Sequence, residues 1–272
     1  MELSQIEFDR NVMVMGASGT GKTHLIGTLC QLLPTLVITS DKNGLETLLN
    51  MNASPQNIVL IEDWRRCWDY LQNIEKSLRQ CLALAIDDFG SVQTAAKRKI
   101  ELMPANWKEE RIPLLEFTIE ARRRLLLGER QMQLRQWGKL WTAIESFLIE
   151  ILSLPFKVRL LTTLETTVND PRTGDEVIVP ALVGQARTSI PAKFSLVAEA
   201  FVSEIDSQRL FCLSSEPHPR VETKDRYAGR VWINPTAKRL LQHMSKDKQE
   251  EVESEIERRV GFSFAPKERV QE

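Results

Sequence analysis

Short runs of consecutive apolar residues alternate along this chain with segments in which apolar residues recur every three or four positions. The apolar runs lie at 11–15, 35–39, 57–61 and 81–86. Helical spacing is found at 23–33, around 45–49 and at 69–80. Runs that are apolar along their length predict strands buried on both faces, and such strands belong to parallel sheets covered by helices. The pattern therefore predicts an α/β domain with a mostly parallel central sheet.

The pattern changes after this region. From Ser91 to Gly128 the periodicity weakens, and we expect an insertion there. Trp137 to Ile151 predicts a helix whose apolar stripe faces the sheet. Further strands are expected at 156–163, 194–204, 209–214 and 231–233, and a hairpin with its tip at 169–174 between strands at 163–167 and 176–179. The resulting division is a core at 1–235 with an insertion at about 91–128, followed by a polar helical tail at 236–272.

A glycine-rich turn separates the first predicted strand from the first predicted helix. Its residues are Gly16, Ala17, Ser18, Gly19, Thr20, Gly21, Lys22 and Thr23, followed by His24. The spacing Gly-x-x-x-x-Gly-Lys-Thr is that of a phosphate-binding P-loop, whose backbone N–H groups turn toward phosphate oxygens at the N-terminus of a helix. We expect nucleotide contacts from Gly16 through His24. Lys22 should reach the β- and γ-phosphates, and the Thr23 hydroxyl should ligate Mg²⁺.

Acidic residues follow two of the predicted strands. Asp87 ends an apolar strand, as expected of a carboxylate that holds Mg²⁺ beside a P-loop, although an acidic residue that closes a strand would look the same. Asp41, just past the second strand, and Asp88 are both candidates for the group that polarises the attacking water. Asp41 is the preferred candidate, and Asp88 could instead cap a loop. The P-loop alone does not separate a hydrolase from a nucleotide switch.

Composition narrows the class of protein further. Lys and Arg number 36 against 37 Asp and Glu, so no overall basic field attracts nucleic acid or an anionic membrane. The four cysteines form no Cys-x-x-Cys pair and the three histidines lack ligand spacing, which argues against structural zinc and for a reducing compartment. No apolar run approaches the roughly 18 residues of a membrane span. We expect a soluble, cytoplasmic protein.

The motifs together resemble RecA-like P-loop ATPases, most closely the small phage-type ATPases associated with single-strand annealing recombination. The resemblance covers about Asn11 to Arg230. It rests on the phosphate loop and on the segments 84–88, 136–139, 159–163, 180–184 with 190–191, and 224–229. It implies a RecA-like fold for the core, and with the segments predicted above the expected fold has a helical insertion and a C-terminal helical tail. It also implies ATP and Mg²⁺ as cofactors, a homo-oligomeric ring or filament, and a bacterial or phage-infected cell.

The resemblance also implies roles for particular residues. Lys224 and Arg226 match a Lys-x-Arg pair that stabilises the γ-phosphate in a neighbouring subunit, although a solvated basic loop would look the same. Asp41 stands where the family usually has a catalytic glutamate. Leu164 stands where the family often has a sensor histidine, which leaves Thr163 or Glu165 as the polar contact.

The family grips DNA with the loops after the acidic strand and after the sensor strand. In this chain those loops supply Lys97, Arg98, Lys99, Arg122, Arg123, Arg124, Arg172, Arg187 and Lys193, with Trp107 as a stacking platform. The alternative for Arg122–Arg124 is a solvated helix face, and Trp107 could be core. The leading hypothesis is an oligomeric ATPase that acts on single-stranded DNA with recombination or replication proteins. The alternatives are a hexameric motor and an ATP-dependent assembly or adaptor protein.

Overall fold

The computed structural model describes residues 10–39, 41–60, 81–101, 134–170, 172–205 and 208–245. The strands are β1 (Arg10–Gly16), β2 (Thr35–Thr39), β3 (Ile58–Leu60), β4 (Ala83–Asp87), β5 (Val158–Thr163), β6 (Glu165–Asn169), β7 (Glu176–Pro180), β8 (Leu196–Ile205), β9 (Gln208–Ser214), β10 (Lys224–Asp225) and β11 (Val231–Ile233). The helices are α1 (Lys22–Leu32), α2 (Lys42–Asn50), α3 (Phe89–Glu101), α4 (Leu134–Ser153), α5 (Ala186–Ala192) and α6 (Ala237–His243).

The central sheet runs in the order β11-β9-β8-β1-β5-β4-β2-β3, and β10 pairs with the free edge of β8. From β8 to β3 every neighbouring pair is parallel, whereas β9, β10 and β11 add antiparallel pairs at one side. The strand that precedes the glycine-rich turn, β1, therefore lies between β5 and β8. The acidic strand β4 is one strand further away, beyond β5. The predicted, mostly parallel α/β sheet is confirmed.

Each face of the sheet has its own hydrophobic cluster. On one face α3, α4 and α5 supply residues such as Phe89, Phe147 and Ile190. On the other face α1, α2 and α6 cover the alternate side chains of the same strands, including Val14 and Ala85. Burial on both faces explains why these strands are continuous apolar runs in the sequence. Among the described residues, every helix is too short or too polar to cross a lipid bilayer.

Two buried arginines tie helix ends to the sheet. Arg159 on β5 donates from Nε to the carbonyl of Ile151 at 3.1 Å and from Nη2 to that of Leu154, next to the end of α4. Arg10 on β1 donates to the Leu241 carbonyl of α6 at 2.7 Å. A cation at a helix C-terminus satisfies carbonyls that lack helical partners and opposes the negative end of the helix dipole. α6 also packs against α1 and contributes to the core, so the predicted tail begins with packed residues.

Three sequence expectations need correction. The periodicity does not end at Ser91, because α3 runs from Phe89 to Glu101. Trp137 does not face the sheet: it is 38% exposed, and Lys97 of α3 lies over its ring at 5.7 Å. The predicted hairpin forms, but its first strand begins at Glu165, because Thr163 ends β5. The predicted helix at 69–80, the rest of the predicted insertion up to Gly128, and the tail beyond 245 lie outside the described residues.

Candidate nucleotide-binding site

The glycine-rich turn connects the end of β1 to the start of α1. Gly19 and Gly21 have φ values of 77° and 85°, in the left-handed region that other residues rarely adopt. At Gly16 a Cβ atom would lie only 2.3 Å from the Ala200 carbonyl oxygen of β8. The loop therefore needs glycine for its backbone conformation at two positions and for close packing at the third.

The N-terminus of α1 has no side-chain cap. Gly21 is the N-cap residue, and the first turn contains no acidic side chain. By contrast, Asp41 caps α2 and Thr236 caps α6 through side-chain oxygens. The first N–H groups of a helix have no intrahelical partner and form the positive end of its dipole. The start of α1 can therefore accept an anion such as phosphate.

The Lys22 side chain turns back into the loop. Its Nζ donates to the carbonyls of Gly16 and Ala17, both at 2.7 Å, and the residue is 8% exposed. Burial lowers the pKa of Lys22, and the nearby carboxylates of Asp88 and Asp87 oppose that shift. The ammonium group thus lies among the atoms that are expected to surround the phosphates, where an anion would provide a charged acceptor in place of the carbonyls.

A chain of hydrogen bonds joins the loop to two strands. Thr23 Oγ1 donates to Asp87 Oδ2 at 2.7 Å, and Thr162 Oγ1 of β5 donates to Asp87 Oδ1 at 2.6 Å. Asp87 is 4% exposed and Thr162 is fully buried. Both oxygens of this carboxylate are therefore held in place. The structure brings Thr23 and Asp87 together as predicted, although β5 separates β4 from β1, the strand that leads to the loop, and it adds Thr162.

The donor set around Asp87 fits Mg²⁺ rather than a metal held by protein alone. Among the residues that the structure describes, His, Cys, Asp and Glu side chains do not gather in groups of three or more that could hold a metal. Mg²⁺ commonly takes one or two protein ligands and completes its shell with water and nucleotide phosphates. Thr23 Oγ1 and Asp87 Oδ2 supply two such oxygens at hydrogen-bonding distance, beside the open end of α1.

Asp88 lies in the same site and also caps the N-terminus of α3. Its Oδ1 accepts a hydrogen bond from Gly90 N at 3.0 Å, and its Oδ2 lies 3.5 Å from Ser91 Oγ. Burial raises the pKa of Asp88, and the negative charge of Asp87 acts in the same direction. Hydrogen bonding to Gly90 and the charge of Lys22 act against the shift. The capping alternative for this residue is therefore observed, together with proximity to Lys22.

Asp41 follows β2 and lies near Thr23 at the start of α1. Its Oδ1 accepts from Asn43 N at 2.8 Å, which caps α2, and the residue is exposed. A Cβ atom built on Gly44 would contact both Asp41 Oδ2 at 3.0 Å and the methyl group of Thr23 at 3.4 Å. Asp41 and the Thr23 side chain thus both lie next to Gly44, and Oδ2 is the Asp41 oxygen nearest to that point.

The residues at the end of β5 differ in their exposure and in their surroundings. Leu164 is 44% exposed. The Thr163 hydroxyl is fully buried and has no hydrogen-bond partner in the described part of the chain. Glu165, in contrast, is near enough for its charge to raise the pKa of Lys22. Of Thr163 and Glu165, only Glu165 carries a charge that acts on Lys22.

Lys224 and Arg226 lie away from the loop along the strand direction: Lys224 pairs with Val197, which is level with Met13, about 10 Å before Gly16. Asp225, between them, pairs with Leu196, which is level with Val12 on β1. The loop begins at Gly16, four residues further along β1, or about 13 Å in the strand direction. Neither cation therefore contacts the phosphate loop of its own chain. Lys224 Nζ donates to the Ala192 carbonyl at 2.8 Å, and burial, with the charge of Arg226 acting in the same direction, lowers the pKa of Lys224.

Asp225 anchors this segment to the core. Its Oδ2 lies 2.9 Å from His243 Nε2 and accepts from Ser215 Oγ at 2.6 Å, while its Oδ1 accepts from Tyr227 N at 2.8 Å. Burial alone would raise the pKa of Asp225, but these hydrogen bonds outweigh burial and hold the pKa below its usual range. The carboxylate points inward, whereas Arg226 is exposed.

The predicted DNA-contacting cations are only partly described. Arg98 and Arg172 are exposed. Arg187 donates to the Leu182 carbonyl at 3.2 Å, and Lys193 lies 3.8 Å from a Glu145 carboxylate oxygen. Arg122, Arg123, Arg124 and Trp107 fall outside the described residues, as does the side chain of Lys99. His24 is exposed at the second position after Lys22 and forms part of the first turn of α1.

Sequence reasoning missed Thr162 and two residues of β9, Arg209 and Phe211. Arg209 Nη2 lies 3.9 Å from the Cβ position of Gly19, and Phe211 Cδ1 lies 3.0 Å from that of Gly21. The signal for Thr162 was a polar residue two positions after Leu160 in a buried strand. For β9 the sequence held no comparable signal, because its approach to the loop depends on how β8 pairs with β1.

A comparison with protein families agrees with this geometry. A family model described as an AAA domain matches residues 9–227. This range includes the phosphate loop, the strands β5 and β8 on either side of β1, and the segment from Lys224 to Tyr227. No curated protein gives a significant match to the chain.

Proposed function

This chain belongs to the AAA domain family of P-loop ATPases, and from that premise we propose that it binds ATP with Mg²⁺ and hydrolyses it. The observation that carries the proposal is the hydrogen bond of 2.7 Å between Thr23 and Asp87 beside the uncapped start of α1. Bound Mg²⁺ would supply positive charge at the β- and γ-phosphate oxygens. The loop N–H groups and Lys22 would orient those phosphates and offset their charge.

We assign the activation of water to Asp41. Both oxygens of Asp88 face donors at the N-terminus of α3, whereas Asp41 caps α2 through Oδ1. The second oxygen of Asp41 lies next to Gly44, a residue that the side chain of Thr23, the proposed metal ligand, also approaches. The test compares Asp41→Asn with Asp88→Asn: the first should abolish hydrolysis and leave ATP binding intact. Hydrolysis that survives in Asp41→Asn but is lost in Asp88→Asn would reverse the assignment.

We further propose that the active site is completed by a second copy of the chain. Lys224 and Arg226 lie away from their own loop, Lys224 donates to the Ala192 carbonyl, and Arg226 is exposed and therefore accessible to an external anion. A γ-phosphate bound in a neighbouring subunit is such an anion, and a cation there would stabilise charge that develops during phosphoryl transfer. Hydrolysis would then depend on assembly into a ring or filament.

The proposed substrate of the assembly is single-stranded DNA, bound during recombination or replication in a bacterium or a phage-infected cell. This part rests on the resemblance to phage-type RecA-like ATPases. The segments after β4 and β5 leave the same end of the sheet as the phosphate loop, and they carry Arg98 and Arg172 in exposed positions. Phosphate contacts by such cations would make binding strongly dependent on salt.

The experiment measures ATP hydrolysis with and without single-stranded DNA at low salt, beside Lys22→Ala and Arg226→Ala. Stimulation by DNA that is lost in both variants supports the full proposal. Hydrolysis that ignores DNA and Arg226, but requires Lys22, would leave an ATP-dependent assembly or adaptor protein. DNA unwinding or translocation would identify a motor. Retention of ATP binding and hydrolysis by Lys22→Ala would contradict the nucleotide site itself.

A further inference from the structure

The hairpin of β8 and β9 extends past the end of β1 and overhangs the phosphate loop. Ala200 of β8 is level with Gly16, the last residue of β1, but β8 continues to Ile205, about 16 Å further. β9 pairs with this extension, so that Phe211 lies opposite Val202 and Arg209 opposite Glu204. The hairpin therefore forms a wall beside the loop that the parallel strands do not provide.

Two side chains of this wall face the loop. Side chains two apart on a strand share a face, and Leu213 of β9 is buried in the cluster that includes α1, so Phe211 and Arg209 point to the α1 side. The three atoms nearest to the Cβ position of Gly21 all belong to Phe211. Arg209 Nη2 is the nearest atom to that of Gly19, at 3.9 Å. The contacts are thus with the two glycines that shape the loop.

The two side chains lie next to each other and remain accessible. The Arg209 guanidinium carbon lies 5.9 Å from the centre of the Phe211 ring. Phe211 is 37% exposed, which is unusual for phenylalanine in a well-packed sheet, and Arg209 is exposed. An aromatic ring and a guanidinium plane both offer flat surfaces on which a nucleobase stacks.

The position of the pair indicates which part of a nucleotide it meets. Thr23 and Asp87 mark the metal side of the loop, toward β5 and β4, whereas β9 lies on the opposite flank, beyond β8. A triphosphate with its terminal phosphates at Thr23 and its nucleoside on the other flank of the loop would bring its base to β9. Glu204, opposite Arg209, adds a carboxylate that disfavours a phosphate at this point.

We infer that Phe211 and Arg209 form the nucleoside side of the site, and that they bind a purine base by stacking. The inference rests on the proposed nucleotide binding and adds the residues that distinguish a nucleotide from a bare polyphosphate. A purine presents a larger flat surface than a pyrimidine, so the pair also provides a preference for purine nucleotides.

The test compares the affinities of ATP and inorganic tripolyphosphate, each with excess Mg²⁺, by calorimetry on the full chain. Phe211→Leu keeps bulk against Gly21 while it removes the aromatic face, and Arg209→Ala removes the guanidinium. We expect each variant to weaken ATP binding by about tenfold or more while tripolyphosphate binding stays within about twofold. Arg220→Ala, which removes an exposed cation elsewhere, is the matched control and should change neither affinity.

Three results would overturn the inference: unchanged ATP affinity in both variants, an equal loss for ATP and tripolyphosphate, or a wild-type protein that binds the two probes equally well. A wild-type protein that binds neither probe would instead refute the proposed nucleotide site. The two failures are therefore distinguishable in the same titration.

Discussion

The hydrogen bond from Thr162 to Asp87 leads to a specific prediction about the Mg²⁺ dependence of ATP binding. Thr162→Val keeps the shape of the side chain and removes the hydroxyl that donates to Asp87 Oδ1 at 2.6 Å. The bond joins a fully buried hydroxyl to a carboxylate that is 4% exposed, so solvent cannot easily replace it. A hydrogen bond to a charged group contributes about 1.5–3 kcal/mol, and loss of a residue that orients a metal ligand typically costs about 10–100-fold in metal affinity.

We therefore expect Thr162→Val to raise the Mg²⁺ concentration needed for half-maximal ATP binding by about 10–100-fold. The assay is a Mg²⁺ titration of ATP binding, with a parallel measurement in EDTA. Binding without Mg²⁺ should not change, because the loop and Lys22 do not depend on the Thr162 hydroxyl.

The neighbouring Thr163 supplies the control. It is equally buried on the same strand, but its hydroxyl has no partner in the described part of the chain. Thr163→Val removes a buried polar group that is not hydrogen-bonded, so stability should stay the same or rise by about 1 kcal/mol, with no change in Mg²⁺ dependence. The same Mg²⁺ dependence in both variants would refute the role assigned to Thr162.

Two further predictions concern stability. Gly16→Ala places a methyl group 2.3 Å from the Ala200 carbonyl oxygen and should lower the free energy of unfolding, measured in urea, by about 1–3 kcal/mol. Gly138→Ala, in α4 with nothing within 4 Å of the new methyl group, should raise it by up to about 1 kcal/mol. Equal effects of the two substitutions would contradict the close packing at Gly16. The lowered pKa of Asp225 means that its bonds, including that to His243, stabilise the fold above the unfolded pKa of about 3.9 and lose this effect as pH falls through the folded value. Asp225→Asn should therefore flatten the pH dependence of the free energy of unfolding below about pH 4, and an unchanged slope there would count against the anchor.

Local sequence pattern was sufficient for the centre of the site. The strand, turn and helix from Asn11 to Leu32 are contiguous, and the turn between them takes the left-handed conformation that its glycines allow. Asp87 could be placed because an apolar run that ends in a carboxylate fits a buried strand end. These features depend on neighbours in the chain, and the structure has them where the sequence predicts them.

The rest of the site depends on contacts between distant parts of the chain. Thr162 meets Asp87 only because β5 inserts between β1 and β4, an order that composition and periodicity do not encode. Phe211 and Arg209 reach the loop only because β8 pairs with β1 and continues beyond it. No local pattern in these segments marks them as part of a nucleotide site.

The error at α3 has a different cause. Phe89, Val92, Ala96 and Ile100 are buried and recur at helical spacing, so the signal was present. The charged run that begins at Lys97 and the prolines that follow in the sequence gave the whole stretch the composition of a loop. Here the order of apolar positions was informative, and the average polarity was misleading.

Mixing of two inactive variants tests the shared site most directly. Lys22→Ala removes the phosphate contact and keeps Arg226, whereas Arg226→Ala keeps the loop and removes the cation given to the neighbour. Each variant alone should hydrolyse ATP poorly, and an equal mixture should regain activity, because random assembly completes roughly a quarter of the sites. No recovery on mixing, or full activity in Arg226→Ala alone, would contradict an active site formed between two copies of this chain.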